Sequence, residues 1–419
     1  MRYALTSDAI RVAEHQAAEQ IGISLAELME RAGKTVAEQV TRVVSGGPVG
    51  VLVGRGNNGG DGWVAARLLH EAAQEVFVVT SEPPSSLDGI SGEAARRAEA
   101  AGVEVRVVGG AIDKSLFVDC RVVVDALFGI GFVGDVVREP YDTWIAAIND
   151  SDAYVVSVDI PSGVHADTGQ TVERAVRADL TVALIAPKPG SLMYPGAAYS
   201  GKVVTSDLGV PVPLIGMAGD LELWDEADYA RLLPVHAPDV HKNARGRVLV
   251  VAGSGAYPGA AMLAAMGAQR TGAGYVMLAV PESVAATIQG RMPSVVTVGL
   301  AESRSRTFAS RAADELLDLA REFDAVVMGP GLTVAHGAVL AVRRFVSGLN
   351  RPLVLDADGL NALVDAVDLL SQRTAPTVIT PHPGELARLL DVTPTEVQSD
   401  RLSYGARLSG VSLACVLKG

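Results

Sequence analysis

The sequence predicts two successive α/β domains, each a mostly parallel sheet with helices on both faces. Short apolar runs ending in glycine or aspartate alternate with helix-length segments, the pattern of strand, helix, strand. That alternation pauses near residue 215 and then starts again. A chain of 419 residues also exceeds the size of one ordinary domain.

Two helical stretches open the chain. The second begins with Ser24 and Glu27 in capping-box spacing, ahead of the apolar positions Leu28, Val36 and Val40. VGVLVG, EVFVV, VEVRVV, RVVVDAL, AYVVSVD and LTVAL then read as strands buried on both faces. Residues 211–239 hold four prolines and no clean periodicity, so they read as an inter-domain connection, with domains at 1–214 and 215–419. GRVLVVAGS, GYVMLAV, DAVVMGPG, PLVLDADG, PTVITPHPGE and VSLACVLKG resume the strand pattern. The halves are not repeats, because their loop motifs differ.

Composition sets the outer bounds. Net charge is −13, and a surface of that sign repels phosphate backbones, which argues against nucleic acid as a general partner. A nucleotide-sized anion is still compatible, because backbone N–H groups at glycine-rich turns act independently of net charge. The two cysteines, Cys120 and Cys415, lie in apolar runs and read as buried thiols outside any disulfide framework. The first turns carry charges and no apolar h-region, so no secretory signal is evident. The uncharged stretch 248–268 is interrupted by Gly253, Gly255, Pro258 and Gly259, which fits strand, turn and helix better than a membrane span. A cytoplasmic protein is expected, without membrane or nucleic-acid partners.

In parallel sheets ligands bind beyond the carboxyl ends of strands, and the unusual residues fall there. GRGNNGGDG, from Gly54 to Gly62, follows the strand VGVLV. Its glycines let N–H groups approach an anion, while Asn57, Asn58 and Asp61 add more polar groups than a structural turn needs. Asp125 ends the next such strand and leads into GIGFVGD, from Gly129 to Asp135. An aspartate there could simply cap a helix, but the second glycine-rich loop beside it favours a site. A third strand ends in Asp159-Ile160-Pro161-Ser162-Gly163. Oxygens converging from Asp125, Ser162 and Asn58 would suit a hard cation, and the lack of cysteine or histidine argues against zinc.

GRGNNGGDGWVAAR, VVVDALFGIGFVGD, VDIPSGVHADTG and APKPGSLMYPG together resemble the ordered motifs of the NAD(P)H-hydrate epimerase family over the first half of the chain. The resemblance implies a Rossmann-like, three-layer fold. It also implies substrate contacts from Asn57, Asn58, Gly59, Gly60, Asp61, Gly129, Ile130, Gly131, Phe132, Val133, Gly134, Asp135 and Asp159. A potassium ion held by Asn58, Asp125 and Ser162 is implied too. The implied reaction interconverts the R and S hydrates at C6 of the reduced nicotinamide ring. It needs proton traffic around a hydroxyl, for which Asp159 is the principal acid/base candidate and Lys188 the second. A lysine in a Pro-Lys-Pro-Gly turn would otherwise be read as solvated.

HKNARGRVLVVAGSGAYPGAAMLAAMGAQRTGAGYV, VVMGPGL, LVLDADGLNAL, VITPHPGEL and VLKG resemble the ADP/ATP-dependent NAD(P)H-hydrate dehydratase family, which has a ribokinase-like fold. The resemblance implies a hydrate pocket lined by Ala260, Gly331 and His382. Lys418 and Gly419 would begin the loop that holds ADP or ATP with Mg2+. His241 and Lys242 match the opening motif. Asp356 and Asp358 could serve a helix N-terminus or the nucleotide's metal. The family's base and anion hole sit in a late Gly-Thr-Gly-Asp motif, which this sequence lacks. The chain ends directly after a strand, which suggests a fragment of a longer protein with epimerase activity but little or no dehydratase activity.

The expected whole is a bifunctional repair enzyme acting on NADHX and NADPHX, paired as a symmetric homo-oligomer. Two other readings compete. One is a small-molecule kinase sharing the second domain's fold, and the other is a non-catalytic binding module like relatives of the first domain in RNA-decay scaffolds. Intact Asn58, Asp61, Asp125, Asp159 and Lys188 favour catalysis.

Overall fold

A computed structural model describes residues 3–43, 46–219, 221–235, 237, 239 and 242–419. His241 and the side chain of Lys242 lie outside the described set. The chain separates into two compact units, the first ending at Leu232 and the second beginning at Leu233.

The first unit holds the strands β1 (Tyr3–Ala4), β2 (Val49–Val53), β3 (Val76–Thr80), β4 (Glu104–Val107), β5 (Val122–Ala126), β6 (Tyr154–Val158), β7 (Leu180–Leu184), β8 (Lys202–Ser206) and β9 (Leu221–Glu222). Seven form one parallel sheet in the order β4-β3-β2-β5-β6-β7-β8. The chain winds outward from β2 to β4, then returns to β5 and winds the other way. Adjacent loops after β2 and β5 therefore diverge, leaving a crevice at the carboxyl ends of these strands.

Helix α1 (Ser7–Ile21) starts where the Thr6 hydroxyl accepts the Ala9 N–H at 3.3 Å and stops at Gly22, whose φ of 72° suits glycine. It buries Ile10, Ala13 and Ala17. Helix α2 (Leu25–Val43) buries Leu28, Ala32, Val36 and Val40, a spacing of three and four that marks one helical face. Ser24 accepts the Glu27 N–H at 3.2 Å as expected, but the Glu27 carboxylate pairs with Arg31 instead of completing the box. Helix α3 (Asn57–Glu71) packs closely on α2, because Gly33 has no side chain where a Cβ would lie 2.4 Å from that of Val64.

The segment read as a connection belongs in part to this unit, which is the main departure from the expected boundary at residue 214. The helix Val212–Ala218 buries Leu214 and Ile215 and packs on α1, while β9 pairs antiparallel with β1. Its two prolines sit before the helix and in its first turn, where a missing N–H costs nothing.

The second unit repeats the same architecture with β10 (Arg247–Val251), β11 (Tyr275–Pro281), β12 (Val296–Leu300), β13 (Ala325–Met328), β14 (Leu353–Leu355), β15 (Thr377–Ile379) and β16 (Leu413–Cys415). All pair in parallel in the order β12-β11-β10-β13-β14-β15-β16. Cys120 is buried but lies in a turn, and burial pushes its thiol up to about 11. Cys415, on the edge strand β16, is half-buried rather than buried.

Candidate active site

Asp159 directly follows β6 in a left-handed backbone conformation, φ 69°, which an aspartate tolerates better than most residues. Its N–H donates to the Val182 carbonyl at 2.8 Å, and its Oδ1 accepts the Leu184 N–H at 3.1 Å. The same oxygen accepts Lys188 Nζ, which also donates to the Leu184 carbonyl at 2.8 Å. Lys188 is fully buried at 0% exposure, which sets aside the alternative of a solvated turn lysine. A buried ammonium is tolerated because a carboxylate and a carbonyl replace its water.

This pair lies in the wall of a cavity of about 700 Å³ at the crevice between the loops after β2 and β5. Asn57 and Asn58 line it from the first turn of α3 and Asp61 from the second, and Gly129, Ile130, Gly131, Phe132 and Val133 line it from the loop after β5. Gly59 and Gly60 sit behind this surface. A Cβ at Gly59 would lie 1.9 Å from the Gly54 carbonyl oxygen, and one at Gly60 would lie 2.4 Å from Met29 Cε. Gly134 and Asp135 lie outside the lining. The Gly134 carbonyl is 2.9 Å from His165 Nε2, and Asp135 is exposed.

Glu14 of α1 also lines the cavity, and the sequence reading missed it. The signal available was a carboxylate beside the apolar stripe of Ile10, Ala13 and Ala17. Burial holds the Asp61 carboxyl well above its ordinary range, and the nearby charges of Asp159 and Glu14 raise it further against the pull of Lys188. Burial likewise raises Glu14, with Asp159 adding and Lys188 and Arg11 opposing.

Beneath the loops lies a nest of oxygens around Asp125, which is 0% exposed. Asp125 faces Ser157 across β5 and β6, and the Ser157 hydroxyl donates to Oδ2 at 2.8 Å. The Ser162 N–H donates to Oδ2 at 2.9 Å and its hydroxyl to Oδ1 at 2.6 Å. Burial raises the Asp125 carboxyl, while these hydrogen bonds pull it back. Asn58 belongs to the same neighbourhood through Gly129, where a Cβ would lie 3.0 Å from Asn58 Oδ1. Asn58 Nδ2 is buried without a hydrogen-bond partner.

In the second unit, Ala260 lies in the first turn of the helix Pro258–Arg270, beside the loop after β13. Gly331 adopts φ 71° there, and a Cβ on it would lie 2.8 Å from Tyr257 Cβ and 3.0 Å from Ala260 Cβ. Those two sequence candidates therefore meet. His382 caps the helix Pro383–Leu390, its Nδ1 accepting the Gly384 N–H at 3.0 Å and its N–H donating to Glu385 Oε2 at 2.9 Å. Lys418 Nζ lies 2.6 Å from Asp356 Oδ1 and 3.8 Å from Glu385 Oε2, just beyond the carboxyl ends of β14 and β15. Gly419 follows it, 3.4 Å from the Arg401 guanidinium when a Cβ is built. Asp358 opens the helix Asp358–Asn361, and its Oδ2 accepts the Thr333 N–H at 2.9 Å. Of the two open roles for these aspartates, Asp358 takes the helix start and Asp356 faces the lysine.

Comparison with known proteins bears on both units. The family model described as YjeF-related protein N-terminus matches residues 25–190, and that of NAD(P)H-hydrate dehydratase matches residues 248–419. A bifunctional NAD(P)H-hydrate repair enzyme of Thermofilum pendens is 39% identical, with 100% of this chain and 80% of the relative covered. This chain belongs to that family of bifunctional NAD(P)H-hydrate repair enzymes.

A second bifunctional NAD(P)H-hydrate repair enzyme, from Salinibacter ruber, is 36% identical over 99% of this chain and 80% of its own. Among solved structures, the yeast protein ynu0 is 25% identical over 53% of this chain and 96% of its own, with a TM-score of 0.44. An ADP/ATP-dependent NAD(P)H-hydrate dehydratase from Bacillus subtilis, crystallised with ATP and Mg2+, is 31% identical over 47% of this chain and 66% of its own, with a TM-score of 0.40. The repair-enzyme family thus accounts for both units, the first matching its N-terminal model and the second its dehydratase model. The expectation of a deficient second domain is not borne out by these matches. Among the described residues, no helix is long and apolar enough to cross a membrane.

Proposed function

We propose that the first unit interconverts the R and S forms of NADHX and NADPHX, and that the second dehydrates the hydrate with an adenine nucleotide. The observation that carries the first half is the buried pair of Asp159 and Lys188 in the wall of a cavity rimmed by two glycine-rich turns. The hydrated ring carries a hydroxyl on the carbon next to its nitrogen, so it is a hemiaminal. Asp159 is placed to take the hydroxyl proton, and Lys188 fixes its carboxylate in one orientation. Loss of that proton opens the ring to an aldehyde, and closure on the other face gives the opposite epimer. N–H groups at the start of α3 and in the loop after β5 suit the substrate's phosphates.

The oxygen nest fits a potassium ion. Its donors are all oxygens, Asp125 brings a full charge, and Asn58 has an orphaned amide whose oxygen and nitrogen exchange places by a simple flip. Held by Asn58, Asp125 and Ser162, the ion would supply positive charge beside the turns that face the substrate. In the second unit Ala260, Gly331 and His382 are proposed to contact the hydrate. Lys418 and Gly419 would contact ADP or ATP, which arrives with Mg2+. Lys418 offers a point charge to phosphate, and Asp356 offers a hard oxygen suited to the accompanying metal. A cytoplasmic location and a symmetric homo-oligomer belong to the same proposal.

The test is epimerisation of purified (R)-NADHX followed by chromatography, with wild type and Asp159→Asn side by side. Asparagine suits φ 69° better than alanine would, so the variant keeps its backbone. Wild type should equilibrate the epimers faster than buffer and the variant should not. If both match buffer with the protein folded and potassium present, the first unit is a binding module instead.

A further inference from the structure

The cavity lining carries three carboxyls and three cationic side chains, but the cations are paired. Three carboxyls, Glu14, Asp61 and Asp159, share it with the ammonium of Lys188. That ammonium is already committed to Asp159 and the Leu184 carbonyl. Arg11 and Arg55 also reach the lining, but Arg11 pairs with Asp8 at 2.6 Å and Arg55 with Glu82 at 3.2 Å. Tyr141, also in the lining, shares a 2.8 Å hydrogen bond with Ser81 Oγ. Asp61 and Glu14 have no hydrogen bond or ion pair among the described residues, and Asp61 is only 8% exposed. A buried carboxyl without a donor or counter-ion is held most cheaply as the neutral acid.

Opening a hemiaminal moves two protons at two different atoms. The hydroxyl oxygen loses one and the ring nitrogen gains one. Asp159 serves the first transfer, and Lys188 gives two of its three N–H groups to Asp159 and the Leu184 carbonyl, whereas Asp61 faces the cavity with none of its oxygens engaged among the described residues. We infer that Asp61 is the second proton carrier, a carboxylic acid that protonates the ring nitrogen. This inference rests on the epimerase reading above.

The step balances without any further reactant. The O–H proton passes to Asp159, the oxygen lone pair forms the C=O bond, and the C6–N1 pair moves onto N1. N1 takes the Asp61 proton. After the aldehyde turns its other face, N1 attacks C6, its proton returns to Asp61, and Asp159 returns its proton to oxygen. Asp61 and Glu14 stand on α3 and α1, elements separate from the loop that carries Asp159.

The experiment measures kcat, KM and the pH profile of epimerisation for wild type and Asp61→Asn, with circular dichroism to confirm folding. Asp61→Asn keeps the shape but cannot release a proton, so kcat should fall by about 10²–10⁴ while KM changes little. A folded Asp61→Asn that raises KM alone, or that keeps wild-type kcat, overturns the role of Asp61. Wild type that fails to turn over while folded sinks the epimerase reading itself, which is a different result from an active wild type beside an active Asp61→Asn.

Discussion

Lys188 and Asp159, 29 positions apart in the chain, form an ion pair in the cavity wall, 0% and 6% exposed. Neither partner is stable there alone, and each makes the other's burial affordable.

Lys188→Met should therefore destabilise the first unit by about 3–5 kcal/mol, because it leaves the Asp159 carboxylate buried without its counter-ion. Adding Asp159→Asn should recover much of that loss without restoring epimerisation. Urea unfolding of the two single variants and the double variant checks this. A double variant as unstable as Lys188→Met would contradict it.

The oxygen nest predicts that epimerisation depends on potassium. Exchanging K+ for a bulky organic cation should abolish most of the rate, and Ser162→Ala should raise the potassium concentration needed. That substitution also removes the 2.6 Å hydrogen bond to Asp125, at a cost of about 1.5–3 kcal/mol in thermal or urea unfolding. A rate indifferent to the cation present would remove the ion from the proposal.

Two glycines three positions apart should answer alanine differently. A Cβ at Gly59 would lie 1.9 Å from the Gly54 carbonyl oxygen, backbone that cannot step aside, whereas nothing lies within 4 Å of one at Gly56. Gly59→Ala should cost several kcal/mol and the epimerase activity, while Gly56→Ala should stay within about 1 kcal/mol of wild type. Equal melting temperatures for the two would refute the packing argument.

Asp61 should also register in stability against pH. Its carboxyl is raised in the folded state, so its contribution is fully present at low pH and is lost as pH rises through the raised value. Asp61→Asn should match wild type near pH 3.5 and melt at a higher temperature above neutrality. Calorimetric scans across that range decide it, and a gap that ignores pH would argue that the carboxyl is not shifted.

In the second unit, Gly331→Ala meets both a left-handed φ of 71° and a Cβ contact of 2.8 Å with Tyr257. A loss of about 1–2 kcal/mol from conformation alone is expected, with the contact adding to it. Hydrate binding to the second unit should weaken as the loop shifts, which calorimetric titration measures.

The interior strands were legible because burial on both faces makes their sequences continuously apolar. Of the edge strands, β4 and β16 were read from VEVRVV and VSLACVLKG, and β8 and β12 were not. β8 reads KVVTS and β12 reads VTVGL, each with one neighbour and largely half-exposed side chains, so neither stands out from a loop. Asp125 and Asp159 were legible as carboxylates at strand ends, and the turn at Asn57 and Asn58 as an excess of polar groups. The burial of Lys188 was not, because it depends on where β6 and β7 bring Asp159. Glu14 was hidden for a related reason. A carboxylate at the margin of an amphipathic helix looks solvated until another element closes over it. The first unit runs on to Leu232, past the boundary read near residue 214, where prolines at a helix start look like those of a linker.

The pairing of β1 with β9 brings the beginning and the end of the first unit to one place. Such a module can be cut out or spliced in as a cassette, since its neighbours in sequence attach at a single seam. A cut after residue 214 would instead pass through the helix Val212–Ala218, separating Leu214 from Ile215 and stripping α1 of its cover. Gene truncations made at that point would sample a damaged cassette, whereas those made after Leu232 would carry the whole one.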